Sequence, residues 1–230
     1  MARVLSIIIP VFNEEQAIGK LLSLVVKEKT PGWQKQIIVV DDGSDDQTAA
    51  ILLKWKKKCT ILRKQKNYGK GAAISSGLKK ATGEIILIQD ADLEYLPSNY
   101  PALIAPFENP VVDVVYGSRF FGAHLSTFLI YEIGNKCITM IANILFNTNI
   151  TDLETGYKVF RRPVLLGIDI RAHRFDFEPE ITARILKKGY QIFEVPISYF
   201  GRKFEDGKKL TWRDGVIALF TLLRWRLWDT

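Results

Sequence analysis

Cysteine is almost missing from this chain: Cys59 and Cys137 are the only two in 230 residues. Two thiols without a zinc-ligand spacing exclude a disulfide-stapled scaffold and a zinc module, and point to a reducing compartment. Histidine is as scarce, and His124 and His173 stand at no spacing that would pair them in a metal or acid–base site. Long apolar runs are lacking too. The longest, Cys137–Phe146, is about half of the roughly 20 residues that a membrane-spanning helix needs. The apolar stretch at the N-terminus, Val4–Val11, closes on Pro10 and Asn13, as a strand end does and a signal peptide does not. A cytoplasmic protein is therefore expected, peripheral on the cytoplasmic face of a membrane at most. No Walker-type glycine loop, internal repeat, low-complexity tract or linker is present. Acids are absent from one stretch: between Lys54 and Lys80 there are ten Lys or Arg and no Asp or Glu. That is either a solvated face or a surface suited to phosphates, anionic lipid or nucleic acid. Aromatic interleaving there stops at Trp55 and Tyr68, which argues against nucleic acid.

What is present is ordinary for one folded domain: 47% apolar and 25% charged residues, with a net charge of +7. Short apolar runs alternate with helical patterns through the first half. Val4–Ile9, Gln36–Val40, Thr60–Arg63 and Glu84–Gln89 read as buried strands. Glu14–Glu28, Asp46–Lys57 and Gly69–Ala81 have helical spacing between them. This order predicts an α/β domain with a mostly parallel sheet flanked by helices on both faces. In the second half Val111–Tyr116 and Gln191–Ile197 read as strands, Thr151–Phe160 as a turn and strand, and Pro179–Lys188 as a helix. A single catalytic domain is expected over 1–210, with a nucleotide and metal half (1–95) and an acceptor half (96–210). An amphipathic helix follows over 211–230.

Ligands of an open α/β sheet bind beyond the carboxyl ends of its strands. Here those ends are polar: Asn13-Glu14 after the first, Asp41-Asp42-Gly43-Ser44 after the second, Asp90-Ala91-Asp92 after the fourth. Taken singly, Asn13, Ser44 or Asp45 could cap a helix. Two carboxylates offset by two residues at a strand end, Asp90 and Asp92, can both reach one hard cation, Mg²⁺ or Mn²⁺, which keeps positions for substrate phosphates. Glu94 would add a third oxygen. The glycine-punctuated Asn67-Tyr68-Gly69-Lys70-Gly71 opens a helix, so its amides and Lys70 would stand near phosphate.

Together Ile7–Glu14, Val39–Ser44, Asn67–Gly71 and Gln89–Asp92 resemble the signature series of family 2 glycosyltransferases of the GT-A fold. The resemblance implies an inverting, metal-dependent hexosyltransferase. It places Pro10, Val11, Asn13, Glu14 and Asp42 around the nucleotide base and ribose, with Asp41 and Lys70 completing the pocket and Asp90 with Asp92 on the metal. Gly117–Phe120, Gly134–Lys136, Thr151–Lys158, Phe175–Ile181 and Glu194–Tyr199 are similar to the polyprenyl-phosphate branch. That branch transfers sugars from donors such as UDP-glucose or GDP-mannose to dolichyl or undecaprenyl phosphate. The stretch Ile130–Ile138 lacks the second Arg frequent in mannose synthases, which leans towards the glucosyl type.

A lipid phosphate needs no strong base, only cations to position it. Arg119, Arg202, Lys203 and Lys209 are the candidates, with Arg119 and Arg202 beside Asp92 as the catalytic set. Tyr199–Asp214 reads as a mobile loop closing over the diphosphate. Asp152, Glu178 and Glu180 would hold sugar hydroxyls, orient the arginines or form plain salt bridges. A hydroxyl acceptor would instead recruit Asp152 or Asp176 as base. A non-catalytic nucleotide- or membrane-binding module is the reading from another class. At the end of the chain Trp212, Val216, Leu219, Phe220, Leu223 and Leu227 form an apolar stripe. Arg213, Arg224, Arg226, Trp225 and Trp228 surround it, which suits either a membrane surface or the protein's own core.

Overall fold

The computed structural model describes residues 3–122, 129–172, 176–201 and 212–228. Seven strands form one sheet: β1 (Arg3–Val11), β2 (Trp33–Asp41), β3 (Thr60–Arg63), β4 (Ile85–Ile88), β5 (Val114–Ser118), β6 (Lys158–Arg161) and β7 (Ile192–Pro196). Their spatial order is β3-β2-β1-β4-β6-β5-β7. Every pairing is parallel except those of β6, which runs antiparallel between β4 and β5. The sheet is thus mostly parallel, as expected, and one reversed strand joins its two halves.

The near-continuous apolar strands reflect burial on both faces. Along β1, Leu5, Ile7, Ile9 and Val11 join the buried cluster of α1 (Ile18–Lys27) and α4 (Tyr100–Ile104). The intervening Ile8 joins the opposite cluster, made with α3 (Lys70–Leu78), α6 (Arg162–Leu166) and α7 (Phe177–Lys187). The side-chain period of two along a strand divides the residues this way. Helix α2 (Thr48–Leu53) is shorter than the run Asp46–Lys57, because Lys54–Lys58 leave the helix in turns.

Helix α5 (Leu129–Phe146) has 18 residues, yet no helix stands out there in the sequence. Its apolar residues lie on two sides. Ala142 is buried, whereas Leu129, Ile133, Met140 and Ile144 are exposed, so a single amphipathic period is blurred. Helix α8 (Trp212–Leu227) packs on α5 and α7. It does so through Ala218, Leu222 and Trp225, which are buried in a third cluster with Ala142 and Ala183. This differs from the expected stripe: Trp225 is inside, held under the Arg184 guanidinium at 4.2 Å. Val216, Phe220 and Leu227 are exposed. Among the described residues no helix is long and apolar enough to cross a membrane.

Candidate active site

Strands β1, β2 and β4 are parallel neighbours, so their carboxyl ends share one edge of the sheet. The reversed strand β6 starts at that edge, because Lys158 pairs with Ile88 of β4 and Tyr116 of β5. The loop Thr151–Tyr157 therefore arrives beside Asp90 on one side and Arg119 on the other.

The first two loops are stitched together. Pro10 and Val11 are the buried end of β1, and the Val11 carbonyl accepts the Asp42 amide at 2.9 Å. Asn13, at φ 52°, donates through its amide to Ser44 Oγ at 3.0 Å and through Nδ2 to Asp45 Oδ1 at 2.6 Å. The Glu14 amide donates to Thr48 Oγ1 at 2.9 Å. None of these side chains caps a helix; α1 and α2 begin after Ala17 and Gln47 without side-chain caps. The polar residues brace loop against loop instead.

Asp41 and Asp42 are both buried. Asp41 Oδ1 accepts the Ser44 amide at 2.9 Å, and Oδ2 lies 3.4 Å from Arg63 Nε. Asp42 Oδ2 accepts the Tyr68 and Gly69 amides at 3.0 and 2.6 Å, and Oδ1 lies 3.3 Å from Lys64 Nζ. Asp41 Oδ2 and Asp42 Oδ1 accept no hydrogen bond. Gly43, at φ 79°, makes this turn, and a Cβ there would run into the Lys66 backbone. The expected phosphate cradle is consequently spent in part, since two of its amides serve Asp42.

Lys70 goes elsewhere as well. Its Nζ lies 2.6 Å from both Asp90 Oδ1 and Glu178 Oε1. Burial works against its charge, but the two carboxylates more than offset that and hold it above the ordinary lysine range. The turn after β4 is pinned by the buried Gln89. Its Nε2 donates to the carbonyls of Asp90 and Tyr95, and its Oε1 accepts from the hydroxyls of Tyr100 and Tyr157. Asp92 Oδ1 accepts the Glu94 amide at 3.1 Å, across Leu93 at φ 65°.

Asp90 and Asp92 offer carboxylate oxygens and no imidazole or thiolate, the donor set of a hard cation with open positions for phosphate. A Cβ at Gly156 would collide with Asp90 Oδ2, so only glycine lets this loop pass so close to the carboxylate. These residues fit Mg²⁺ or Mn²⁺ bound with substrate, not in an all-protein cage. Glu94 is not gathered as the third ligand. Its Oε2 accepts a hydrogen bond from the Tyr199 hydroxyl at 2.8 Å. Among the described residues no group of three or more His, Cys, Asp or Glu side chains converges to hold a metal.

On the other side Arg119 and Asp152 form a fork. Nε and Nη2 of Arg119 donate to Oδ2 and Oδ1 of Asp152 at 2.7 and 2.6 Å, and the Arg119 amide adds a third bond at 3.0 Å. Glu194 holds the loop in turn by accepting the Thr151 amide and hydroxyl and the Asp152 amide. Burial disfavours the Arg119 charge, and Asp152 reverses the balance, so the guanidinium stays charged. Glu178 faces Lys70, whereas Glu180 is engaged outside this cluster, accepting from the Arg171 amide and Arg184. Arg202, Lys203 and Lys209 lie outside the described residues.

Two charged residues that sequence reasoning left without a role stand between these groups. Lys158 is buried, and its Nζ donates to the carbonyls of Leu153 and Thr155 at 2.8 and 2.6 Å. Burial pushes it down to about 8. Glu154 is half-buried, and burial, then the Glu178 charge, push it up to about 7. The available signal was a lysine heading an otherwise apolar strand, Lys158-Val159-Phe160.

Residues 6–167 match the family model described as glycosyl transferase family 2. Over 231 residues the chain is 29% identical to the dolichol-phosphate mannosyltransferase of Pyrococcus furiosus, covering 96% of this chain and 64% of that one. It is 24% identical over 204 residues to the dodecaprenyl-phosphate galacturonate synthase of Rhizobium johnstonii, covering 86% and 60%. The chain thus spans less than two thirds of the length of these two relatives. It also resembles glucosyl-3-phosphoglycerate synthase from Mycobacterium tuberculosis crystallised with UDP, at a TM-score of 0.76 and 17% identity over 97% of this chain and 80% of that one. That likeness is one of fold, which is GT-A. A family model spanning most of the chain, on a sheet whose strand ends carry the paired carboxylates, makes this protein a glycosyltransferase and a member of glycosyl transferase family 2.

Proposed function

We propose that this enzyme transfers a hexose, with inversion, from a nucleotide diphosphate sugar, UDP-glucose or GDP-mannose, to a polyprenyl phosphate. The observation that carries the reading is the forked Arg119–Asp152 pair, a permanently charged donor group held across the sheet edge from Asp90 and Lys70. Two relatives whose names specify polyprenyl-phosphate sugar transfer support it.

On this reading Pro10, Val11, Asn13, Glu14, Asp41 and Asp42 receive the base and ribose. The spare oxygens Asp41 Oδ2 and Asp42 Oδ1 suit N–H and O–H donors of a nucleoside. Asp90 and Asp92 hold Mg²⁺ or Mn²⁺, which supplies charge neutralisation at the diphosphate when bound. Lys70 keeps Asp90 in place and is freed to face phosphate as the ligand takes that carboxylate. Arg119, with Arg202, Lys203 and Lys209 from the segment after Gly201, positions the acceptor phosphate. One of its oxygens attacks the anomeric carbon from the face opposite the leaving group. The new C–O bond forms as the bond to the nucleotide diphosphate breaks, and that group departs with the electron pair. The second pKa of a phosphate monoester is about 6, so the nucleophile is already anionic near neutral pH and no base is called for. Asp152, which with Asp176 is one of the two bases that a hydroxyl acceptor would recruit, is tied to Arg119 through both of its oxygens, which favours the phosphate acceptor.

The exposed apolar residues Ile133, Met140 and Ile144 of α5, and Ile217, Phe220, Leu227 and Trp228 in and just after α8, support contact with a membrane surface, with Arg224 and Arg226 beside them for anionic headgroups. The deciding experiment incubates purified protein with Mn²⁺ or Mg²⁺ and labelled UDP-glucose or GDP-mannose, with and without polyprenyl phosphate. Label entering the organic phase only when metal and lipid are both present is the expected result. Donor turnover into water-soluble product alone would overturn the lipid acceptor.

A further inference from the structure

We propose that Glu154 reads the transferred sugar, its carboxylate accepting hydrogen bonds from the hydroxyls of a neutral hexose. The inference rests on the donor and acceptor assignment above and adds a residue and a sugar class to it.

The loop Thr151–Tyr157 and the first turn of α7 together carry four carboxylates, and three are spoken for. Asp152 takes the Arg119 fork, Glu178 takes Lys70, and Glu180 takes Arg184 and the Arg171 amide. Glu154 is the exception: its Oε1 is closed off from solvent and accepts no hydrogen bond. The cations whose charges act on it spend their donors elsewhere. Arg119 Nε and Nη2 point to Asp152, and Lys158 Nζ points to the Leu153 and Thr155 carbonyls. A buried acceptor with no donor costs stability, and folds retain one where something outside the chain supplies the partner. The raised pKa of Glu154, about 7 from burial and then the Glu178 charge, has the same origin: no donor compensates the lost water.

Its place in the loop says what that partner is. Asp152, at one end, grips Arg119, where the acceptor phosphate is read. Gly156, at the other, lies against Asp90 Oδ2, where the donor diphosphate is read. The sugar in transit lies between those two phosphates, and Glu154 sits midway along the segment that joins them. A carboxylate there accepts from hydroxyls. It also repels a sugar that carries its own carboxylate, so the donor class is a neutral hexose and not a uronic acid.

The test is calorimetric titration of the full chain, with Mn²⁺ present, against UDP-glucose, GDP-mannose, UDP-glucuronate, UDP and GDP. Wild type is expected to bind one neutral nucleotide sugar more tightly than its glucuronate counterpart. Glu154→Ala should weaken that nucleotide sugar about tenfold or more, the size of one hydrogen bond to a charged group, and leave the parent nucleotide diphosphate unchanged. Glu154→Gln, with a melting temperature no lower than wild type, should narrow the preference over glucuronate. Equal losses for nucleotide and nucleotide sugar, or no loss for either, would overturn the assignment. A wild-type protein that binds UDP or GDP but no nucleotide sugar would overturn the donor reading itself, and Glu154 with it.

Discussion

The two sides of the sheet edge are built on different principles. Around β1 and β2 the loops brace one another through backbone amides and short polar side chains, and two buried carboxylate oxygens are left with spare capacity. Around β5, β6 and β7 the charges neutralise one another inside the protein, Arg119 against Asp152 and Lys70 against Glu178. The first side has acceptors left for a ligand; the second satisfies its charges internally first. On the first side the half-buried Asp92 can be removed at little structural expense, unlike Asp41 and Asp42, which are buried and hold backbone amides. A carboxylate removed on the acceptor side leaves a cation stranded in low dielectric.

The largest effect should fall on Asp92, which is half-buried and proposed above as a metal ligand. Asp92→Ala is expected to cut transfer by at least about 10²–10³-fold, the scale of losing one preorganised electrostatic group, with an unchanged urea midpoint. Near-normal turnover with metal supplied would remove Asp92 from the metal site and break the contrast. On the acceptor side the same kind of substitution should act on folding. Asp152→Ala strands Arg119, and a loss of about 3–5 kcal/mol in unfolding free energy is expected; a stability within 1 kcal/mol of wild type, roughly the weight of an exposed pair, would mean that water reaches Arg119. Gly156→Ala joins the two sides, because the added methyl displaces Asp90 Oδ2. We expect about 10–100-fold weaker metal-dependent activity, as for a disturbed supporting group, and a small change in melting temperature.

The remaining effect concerns pH. Glu154 sits at about 7 in the folded protein, raised by burial and then by Glu178, with Lys158 and Arg119 opposing and Asp152 adding to the rise. In the unfolded chain a glutamate titrates near about 4.3. Between those values the folded state binds the extra proton, so stability falls as pH rises through this window and then levels off. Glu154→Gln should flatten that part of the profile and melt higher than wild type at pH 8. A profile identical to wild type would place Glu154 in water.

The first side was legible because its polar groups directly follow short apolar strands, in runs such as Asp41-Asp42-Gly43-Ser44 after β2 and Asp90-Ala91-Asp92 after β4. The capping reading of Asn13 failed, since a side chain at a loop can serve a neighbouring loop as readily as its own helix. The acceptor side was legible in its parts and not in its pairings. Arg119 and Asp152 were both candidates, but nothing local says that they face each other 33 residues apart. Glu178 and Glu180 stand close in sequence, but two residues are about half a turn of helix, which sends Glu180 to Arg184 instead. Glu94 stands two residues after Asp92 in sequence, yet its Oε2 accepts from the distant Tyr199.

By itself the sequence determined the α/β architecture, the strands that carry the site, and the carboxylate pair that suits a hard cation. Those follow from apolar period and from residue chemistry at strand ends, both of which are local. The reversal of β6, the fork on Arg119, the division of Lys70 between Asp90 and Glu178, and the unpartnered oxygen of Glu154 were decided by tertiary structure alone. Each depends on which distant groups share a buried space, where every charge must find a partner or go without one.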